Sequence, residues 1–138
     1  MYSIDEIMEM LDSSLERNNS CEIQKQGIEL GKKIKCLDVF FQPVYPSGKL
    51  VWENCAKIIV SKTDEELEPY IFKMFEWLDD INWPGALIIF ERLVKMKNKE
   101  KYQLYRNLYL STKKNLHDES AIENFIEYEK MYIEAQNK

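Results

Sequence analysis

The chain has 138 residues, of which 45% are hydrophobic and 31% charged, and its net charge is -5. This composition excludes the disordered class, and a chain of this length buries enough surface for one core without disulfides or metal. Because no apolar run approaches about 18 residues and residues 1–6 lack a basic start and an apolar core, we expect neither a membrane segment nor a signal peptide. These observations predict a single domain over residues 1–138, located in the cytoplasm.

The N-terminal part is predicted to form two helices followed by a loop. Ser3 and Glu6 have the Ser-x-x-Glu form of a capping box and precede apolar residues at helical spacing, which predicts a first amphipathic helix. A second helix is expected over residues 20–35, weakened by two glycines. Two prolines and a glycine within residues 41–49 predict a loop. The apolar face of the first helix consists of Ile4, Ile7, Met8, Leu11 and Leu15.

The middle of the chain is predicted to form two further helices. Residues 51–61 are apolar on most sides, as in a buried helix, and a Thr-x-x-Glu capping box follows at residues 63–66. Pro69 lies too deep to be the first residue of a helix capped at Thr63. We therefore expect a short turn first and then a helix over residues 68–79.

Three helices are predicted toward the C-terminus. Asn82 is a cap candidate and Pro84 suits a first helical turn, which together predict a helix over residues 84–97. Two longer helices follow, the second of them behind Asp118. Their apolar stripes are Tyr102, Tyr105, Leu108 and Tyr109 in the first, and Ile122, Phe125, Ile126, Tyr132 and Ile133 in the second.

An internal similarity links two of these predicted helices. Residues 55–59 and 85–89 share a small-small-x-Ile-Ile pattern at an offset of about 30 residues, and each copy follows a tryptophan. Small residues let neighbouring helices approach while isoleucines fill the groove between them. The pattern favours an all-α fold in which six to eight helices form a short HEAT-like stack of antiparallel pairs. The alternative is that two buried helices share these common residues by chance.

The signature between the two copies resembles a known family. Glu76-Trp77-Leu78-Asp79-Asp80-Ile81-Asn82-Trp83-Pro84-Gly85-Ala86 resembles the motif of the bacterial domain-of-unknown-function 5071 family, with Phe75 and Asp79 in place of the family's Leu and Gln. The resemblance covers residues 50–95. It implies short HEAT-type helical repeats and no particular activity, because fold alone does not give function.

The resemblance and the helix pattern together divide the chain into four parts. N-terminal helices occupy residues 1–40, a loop residues 41–49, the signature region residues 50–97 and C-terminal helices residues 98–138. Large aromatic rings near a helix-helix turn bury much area and fix the crossing angle. The signature region therefore predicts a structural corner, with a recognition role for a tryptophan as the alternative. The corner residues are Trp52, Trp77, Trp83 and Pro84.

The residues that usually carry catalysis or bind metal are scarce. His117 is the single histidine, and Cys21, Cys36 and Cys55 have no paired spacing, so we expect free thiols, no metal site and no catalytic residues. The chain has no Gly-rich phosphate loop and no nucleophile elbow. We therefore expect no enzymatic activity and no cofactor.

Charge is distributed unevenly along the chain. Residues 51–91 carry nine acidic and three basic residues, whereas residues 92–114 carry eight basic residues and one acidic residue. A basic stretch with interleaved tyrosines could contact nucleic acid, but the sequence pI of about 5.0 disfavours a dedicated nucleic-acid-binding protein. The acidic segment instead predicts a basic protein partner, because complementary charge steers association.

The sequence thus favours a non-catalytic protein-binding module. HEAT-like and armadillo-like proteins of this size occur as immunity proteins beside bacterial toxins, so a basic nuclease-type toxin is the concrete partner hypothesis. A small-ligand-binding or hydrolytic domain at the turn from Asp79 to Trp83 is the alternative, and a self-associating structural module is a third possibility. The oligomeric state stays open. The predicted partner-binding residues are Glu53, Glu65, Glu66, Glu68, Glu76, Asp79, Asp80 and Trp83.

Overall fold

A computed structural model describes residues 2–44 and 47–137 of the chain. Within these ranges the fold is all-α, with seven α-helices of six residues or more, one single-turn helix and no strand. The predicted all-α class with six to eight helices is therefore confirmed. The helices are α1 (Ile4–Leu11), α2 (Cys21–Gly31), α3 (Trp52–Val60), α4 (Asp64–Leu67), α5 (Ile71–Glu76), α6 (Ala86–Val94), α7 (Lys99–Asn115) and α8 (Glu119–Gln136).

Local side-chain chemistry sets the start of five helices, including α2, whose cap Ser20 accepts the Ile23 backbone N–H. Both predicted capping boxes are present, at the start of α1 and at the start of α4. Asn98 caps α7 by accepting a hydrogen bond from the Lys101 backbone N–H, and Asp118 caps α8 in the same way. These caps satisfy N–H groups that have no partner inside the helix.

Both N-terminal helices end earlier than predicted. Helix α1 ends at Leu11 because the Asp12 carboxylate accepts the Ser14 backbone N–H and the chain becomes extended there, which leaves Leu15 exposed outside the helix. Helix α2 ends at Gly31 rather than at residue 35, since the Lys33 and Ile34 N–H groups bond three residues back in a tighter turn. The predicted loop at residues 41–49 includes Tyr45 and Pro46, which lie outside the described residues.

The predicted helix over residues 68–79 is interrupted. After the single-turn α4, residues 68–70 form a 3₁₀ turn around Pro69, and only then does α5 begin. A second 3₁₀ turn, Trp77–Asp79, follows α5. The expected short turn before the helix is thus present, but the proline, which has no N–H, separates two elements.

The helix predicted over residues 84–97 is shorter at both ends. It begins at Ala86, and its cap is Gly85 at φ +86° rather than Asn82. The Pro84 carbonyl accepts a hydrogen bond from the Trp77 indole, so Pro84 belongs to the preceding turn instead of the first helical turn. The helix ends at Val94, and the segment that leads to α7 is exposed except for the buried Met96.

Helices α3 and α6 pack against each other at the centre of the core. Ala56 of α3 faces Gly85, where an added Cβ would lie only 2.7 Å from the Ala56 Cβ. The two copies of the small-residue pattern therefore lie at the same helix contact, and Ile58, Ile59 and Ile89 are fully buried. The assignment of these helices to HEAT-type repeats stays a prediction.

The N-terminal helix pair joins this core through both apolar and polar contacts. The buried Asn54 amide of α3 donates to the Leu11 carbonyl at 2.8 Å and to the Gln24 side chain at 2.9 Å. Ile7 and Leu11 of α1 are fully buried in the same core as α3 and α6. In the described ranges no helix is long and apolar enough to cross a membrane.

The two C-terminal stripes are only partly buried. In α7, Tyr109 of the stripe is buried in the core. Leu108 is exposed, because its side chain points away from α8 and the core. In α8 Phe125 is buried, whereas Ile126 and Ile133, about a quarter-turn around the helix from it, are exposed. The predicted inward packing of these three aliphatic residues is therefore wrong.

Candidate functional site

The three tryptophans of the predicted corner pack edge to face. The Trp52 ring lies 6.2 Å from the Trp77 ring and 5.8 Å from the Trp83 ring, measured between centroids. The Trp52 indole N–H donates to the Pro43 carbonyl at 2.8 Å and the Trp77 indole N–H to the Pro84 carbonyl at 3.0 Å. These two indole N–H groups thus hold loop segments in place. Trp83 is the half-buried member of the three tryptophans.

A buried polar cluster lies behind this corner. Both oxygens of the Asp79 carboxylate are occupied, one by the Tyr109 hydroxyl and one by the Lys113 ammonium, each at 2.6 Å. The Lys113 nitrogen also lies 5.7 Å from the Tyr109 ring centroid. Burial, and then the hydrogen bond to Asp79, raises the pKa of Tyr109 above its usual range. The cluster connects the 3₁₀ turn after α5 to α7.

Two more ion pairs join the acidic segment to the basic one. Asp64 pairs with Arg92 at 2.5 Å, and Glu68 pairs with Lys101 at 2.5 Å. The Lys97 backbone N–H, followed by the Arg92 guanidinium, lowers the pKa of Asp64 against the opposing effect of burial. Part of the opposite charge of the two segments is therefore neutralised by ion pairs inside the fold.

A fourth pair fixes α8 to α7. The Arg106 guanidinium donates to both oxygens of Glu129, at 2.6 and 2.7 Å, and the Tyr102 hydroxyl donates to the same carboxylate at 2.9 Å. A two-pronged Arg–carboxylate contact of this kind fixes orientation as well as distance. Burial and the Glu129 charge raise the pKa of Tyr102 above its usual range.

The eight predicted partner-binding residues do not share one environment. Glu68 and Asp79 are in the ion pairs just described, and the Asp80 carboxylate accepts the Asn82 backbone N–H at 2.9 Å. Trp83 packs against Trp52. The remaining four residues are exposed on α3, α4 and α5 and make no ion pair within the described part of the chain. They are Glu53, Glu65, Glu66 and Glu76.

The thiols and the histidine show no arrangement for catalysis. Burial raises the pKa of the Cys55 thiol to about 12, which leaves it protonated and inert near neutral pH. Cys21 and Cys36 are free and exposed, and His117 is exposed in the turn between α7 and α8. Across residues 2–44 and 47–137 no group of three or more His, Cys, Asp or Glu side chains could hold a metal ion.

Sequence reasoning missed the basic members of these clusters. Arg92, Arg106 and Lys113 each bind a carboxylate 23 to 34 residues away in the sequence. The opposite charges of the two segments gave a coarse signal that they attract each other. The individual pairs depend on how α5, α6 and α7 pack, which no local pattern specifies.

Comparison with known proteins identifies the family. The sequence model of a domain of unknown function, DUF5071, matches residues 46–135. This region runs from the segment before α3 into α8 and includes the tryptophan corner and the cluster of Asp79, Tyr109 and Lys113. No curated protein and no solved structure matches the chain. Since the match covers well over half of its residues, the chain belongs to the DUF5071 family.

Proposed function

We propose that the chain is a non-catalytic protein-binding module whose partner is a basic protein. The observation that carries this proposal is the set of four exposed carboxylates left on α3, α4 and α5 after the internal ion pairs have formed. Arg92, Lys101 and Lys113 are used in these internal ion pairs. The pairs leave the negative charges of Glu53, Glu65, Glu66 and Glu76 unneutralised. Glu66 also closes the α4 capping box through one oxygen, and all four carboxylates remain exposed to a basic surface in solution.

A basic nuclease-type toxin in the bacterial cytoplasm is the partner we favour. Nucleases carry basic clefts that hold phosphates, so an acidic protein would be steered toward the cleft and would block substrate contacts there. In this proposal the chain acts as an immunity protein. The tryptophan corner and the buried clusters support the acidic helices and do not contact the partner.

The ligand-binding or hydrolytic alternative at the turn from Asp79 to Trp83 receives less support. Asp79 has both oxygens bound by neighbouring side chains, and Asp80 is engaged with the backbone of its own turn. A general base or a ligand-binding carboxylate needs an oxygen that can reach the substrate. Trp83 alone offers a half-buried ring beside these two residues.

The test is affinity purification of the tagged chain from its native cells at low salt and at about 0.5 M salt, where exposed charges are largely screened. We expect one stoichiometric basic protein at low salt and its loss at high salt. The variant Glu65→Gln/Glu76→Gln should retain less of it at low salt. Glutamine keeps the size and helix preference of glutamate, so the change removes mainly charge.

The matched control is Glu16→Gln/Glu22→Gln, which removes two exposed carboxylates near the start of α2. It should capture the partner as the unmodified chain does. The proposal is wrong if the captured protein resists about 0.5 M salt, if both double variants lose it equally, or if the chain is recovered alone in both buffers.

A further inference from the structure

The outer face of α8 is an exposed apolar stripe on the last helix of the fold. Ile126 is 45% exposed and Ile133 54% exposed, and with the half-buried Ile122 they recur at intervals of four and seven residues. This spacing places all three on one side of the helix. Phe125, which faces the core, lies about a quarter-turn around the helix from this stripe, and Ile126 and Ile133 stay outside the packing that holds α8.

Acidic side chains border this stripe along much of the helix. A shallow groove on α8 is lined by Ile122, Glu123, Ile126, Glu127, Lys130, Met131 and Glu134. The three glutamates make no ion pair within the described residues, whereas Glu129, on the inner side, is bound by Arg106. The face thus combines an apolar stripe with an unneutralised acidic row along the one side of it that points away from the core, and Lys130 is its one positive group among the lining residues.

We propose that this face of α8 docks a basic amphipathic helix of a partner protein. An amphipathic helix places its apolar side on a groove and its flanking charges against the rim. Lysines or arginines along one side of such a helix would match Glu123, Glu127 and Glu134, which form one row beside the stripe. Helix α8 has 18 residues, and its length of about 27 Å accommodates roughly four to five turns of a bound helix.

Charge also argues against a second copy of the chain as the occupant. Pairing two α8 stripes would bring two glutamate rows together with only one lysine in each groove lining. Like charges at the flanks of a helix pair oppose association, whereas opposite charges select a partner. The docking site lies on a different helix from the exposed carboxylates of the proposed function, so either proposal can fail without the other.

The experiment measures binding of a designed 18-residue peptide to the full chain by fluorescence anisotropy in about 0.15 M salt. The peptide has leucines at helical spacing and lysines along one flank of the leucine face. Two control peptides have the same composition in scrambled order, or glutamate in place of each lysine. We expect the lysine peptide to bind at least about tenfold more tightly than either control peptide.

Variants of the chain then locate the site. Ile126→Ser/Ile133→Ser should weaken binding of the lysine peptide about tenfold or more, and Glu123→Gln/Glu127→Gln should weaken it and reduce its salt dependence. The matched control is Leu104→Ser/Leu108→Ser, which removes two similarly exposed leucines from α7 and should leave binding unchanged. Circular dichroism checks that each variant keeps its helix content.

Four results would overturn the proposal. These are no detectable binding of the lysine peptide, equal binding of the scrambled peptide, equal loss in the α7 control variant, and self-association of the chain in sedimentation velocity that Ile126→Ser/Ile133→Ser abolishes. The last result would show that a second copy occupies the face. Because all four substituted residues of the α8 variants are exposed or at the rim, loss of folding does not account for a change in binding.

Discussion

Gly85 is the residue on which the tryptophan corner depends most directly. Its φ of +86° is a left-handed conformation that glycine adopts without the steric cost that a side chain brings. An added Cβ would also lie 2.7 Å from the Ala56 Cβ and 3.1 Å from the Trp52 carbonyl oxygen. Backbone conformation and close helix contact therefore both require glycine here.

We expect Gly85→Ala to lower the free energy of unfolding by about 2–4 kcal/mol, because it adds backbone strain and overpacks the contact between α3 and α6. Urea unfolding followed by circular dichroism measures this loss. Gly48→Ala is the matched control, since Gly48 also has positive φ but no atom within 4 Å of an added Cβ. Its loss should be about 1 kcal/mol. Equal losses in the two variants would contradict the overpacking argument.

Sequence reasoning identified part of what Gly85 does. The repeated small-residue pattern predicted a close helix contact, and Gly85 and Ala56 do lie at one. The pattern placed Gly85 inside a helix, however, and not at its cap. The left-handed conformation occurs beside the hydrogen bond from the Trp77 indole to the Pro84 carbonyl, a contact between residues whose approach the sequence does not specify.

Helix starts were predictable where one side chain determines them, and helix ends were not. Ser3, Thr63 and Asp118 cap helices through bonds within three residues, so their signals are local. The ends of α1, α2 and α6 lie instead at turns that bond to other parts of the fold, through the Asp12 carboxylate after α1, the Lys32 carbonyl after α2 and the Lys97 N–H after α6. Asp12 illustrates this, because its carboxylate accepts hydrogen bonds from Ser14 nearby and from Ser47 in a distant segment.

The junction of α4, α6 and α7 is where one carboxylate ties three elements together. Asp64 begins α4, pairs with Arg92 of α6, and accepts the Lys97 backbone N–H at 3.0 Å just before α7. These contacts lower the pKa of Asp64, the Lys97 N–H being the larger cause. A carboxylate whose pKa is lowered by folding stabilises the fold above its unfolded pKa and loses that contribution as pH falls through the folded pKa.

We therefore expect Asp64→Asn to be less stable than the unmodified chain at pH 7, by about 1 kcal/mol, and to lose less stability on acidification below about pH 4. Urea unfolding at pH 7 and pH 3 measures both effects. Glu65→Gln, at the exposed neighbouring position, is the control and should leave the pH dependence nearly unchanged. Parallel pH profiles for Asp64→Asn and the unmodified chain would contradict the role assigned to this carboxylate.

At the scale of the whole molecule, opposite charges in sequence become neighbours in space. The acidic residues of segment 51–91 and the basic residues of segment 92–114 form three ion pairs across 28 to 34 residues. The net charge of each segment was visible from composition, and so was the attraction between them. Which charged residues remain exposed after pairing was not visible from composition, because it depends on which side of each helix faces the core.

The family match begins at residue 46, but the buried core also includes residues that precede it. Ile7 and Leu11 of α1 are fully buried, and so are Leu37 and Phe40 in the 3₁₀ turn after α2. The amide of Asn54, within the matched region, needs the Leu11 carbonyl as its buried acceptor. Removing the N-terminal part would expose apolar surface on α3 and leave that amide without this partner, and both changes cost free energy.

We expect a fragment of residues 46–138 to lose the cooperative unfolding transition that the full chain shows in urea, because a single core that includes α1 and α2 cannot be completed without them. Circular dichroism and near-ultraviolet spectra measure the loss of helix and of fixed tryptophan packing. Adding a separate peptide of residues 1–44 should restore part of both signals, since the missing contacts are non-covalent. A fragment that unfolds cooperatively, with a stability within about 1 kcal/mol of the full chain, would instead show that the family-matched region is a domain by itself and that the N-terminal helices are an addition to it.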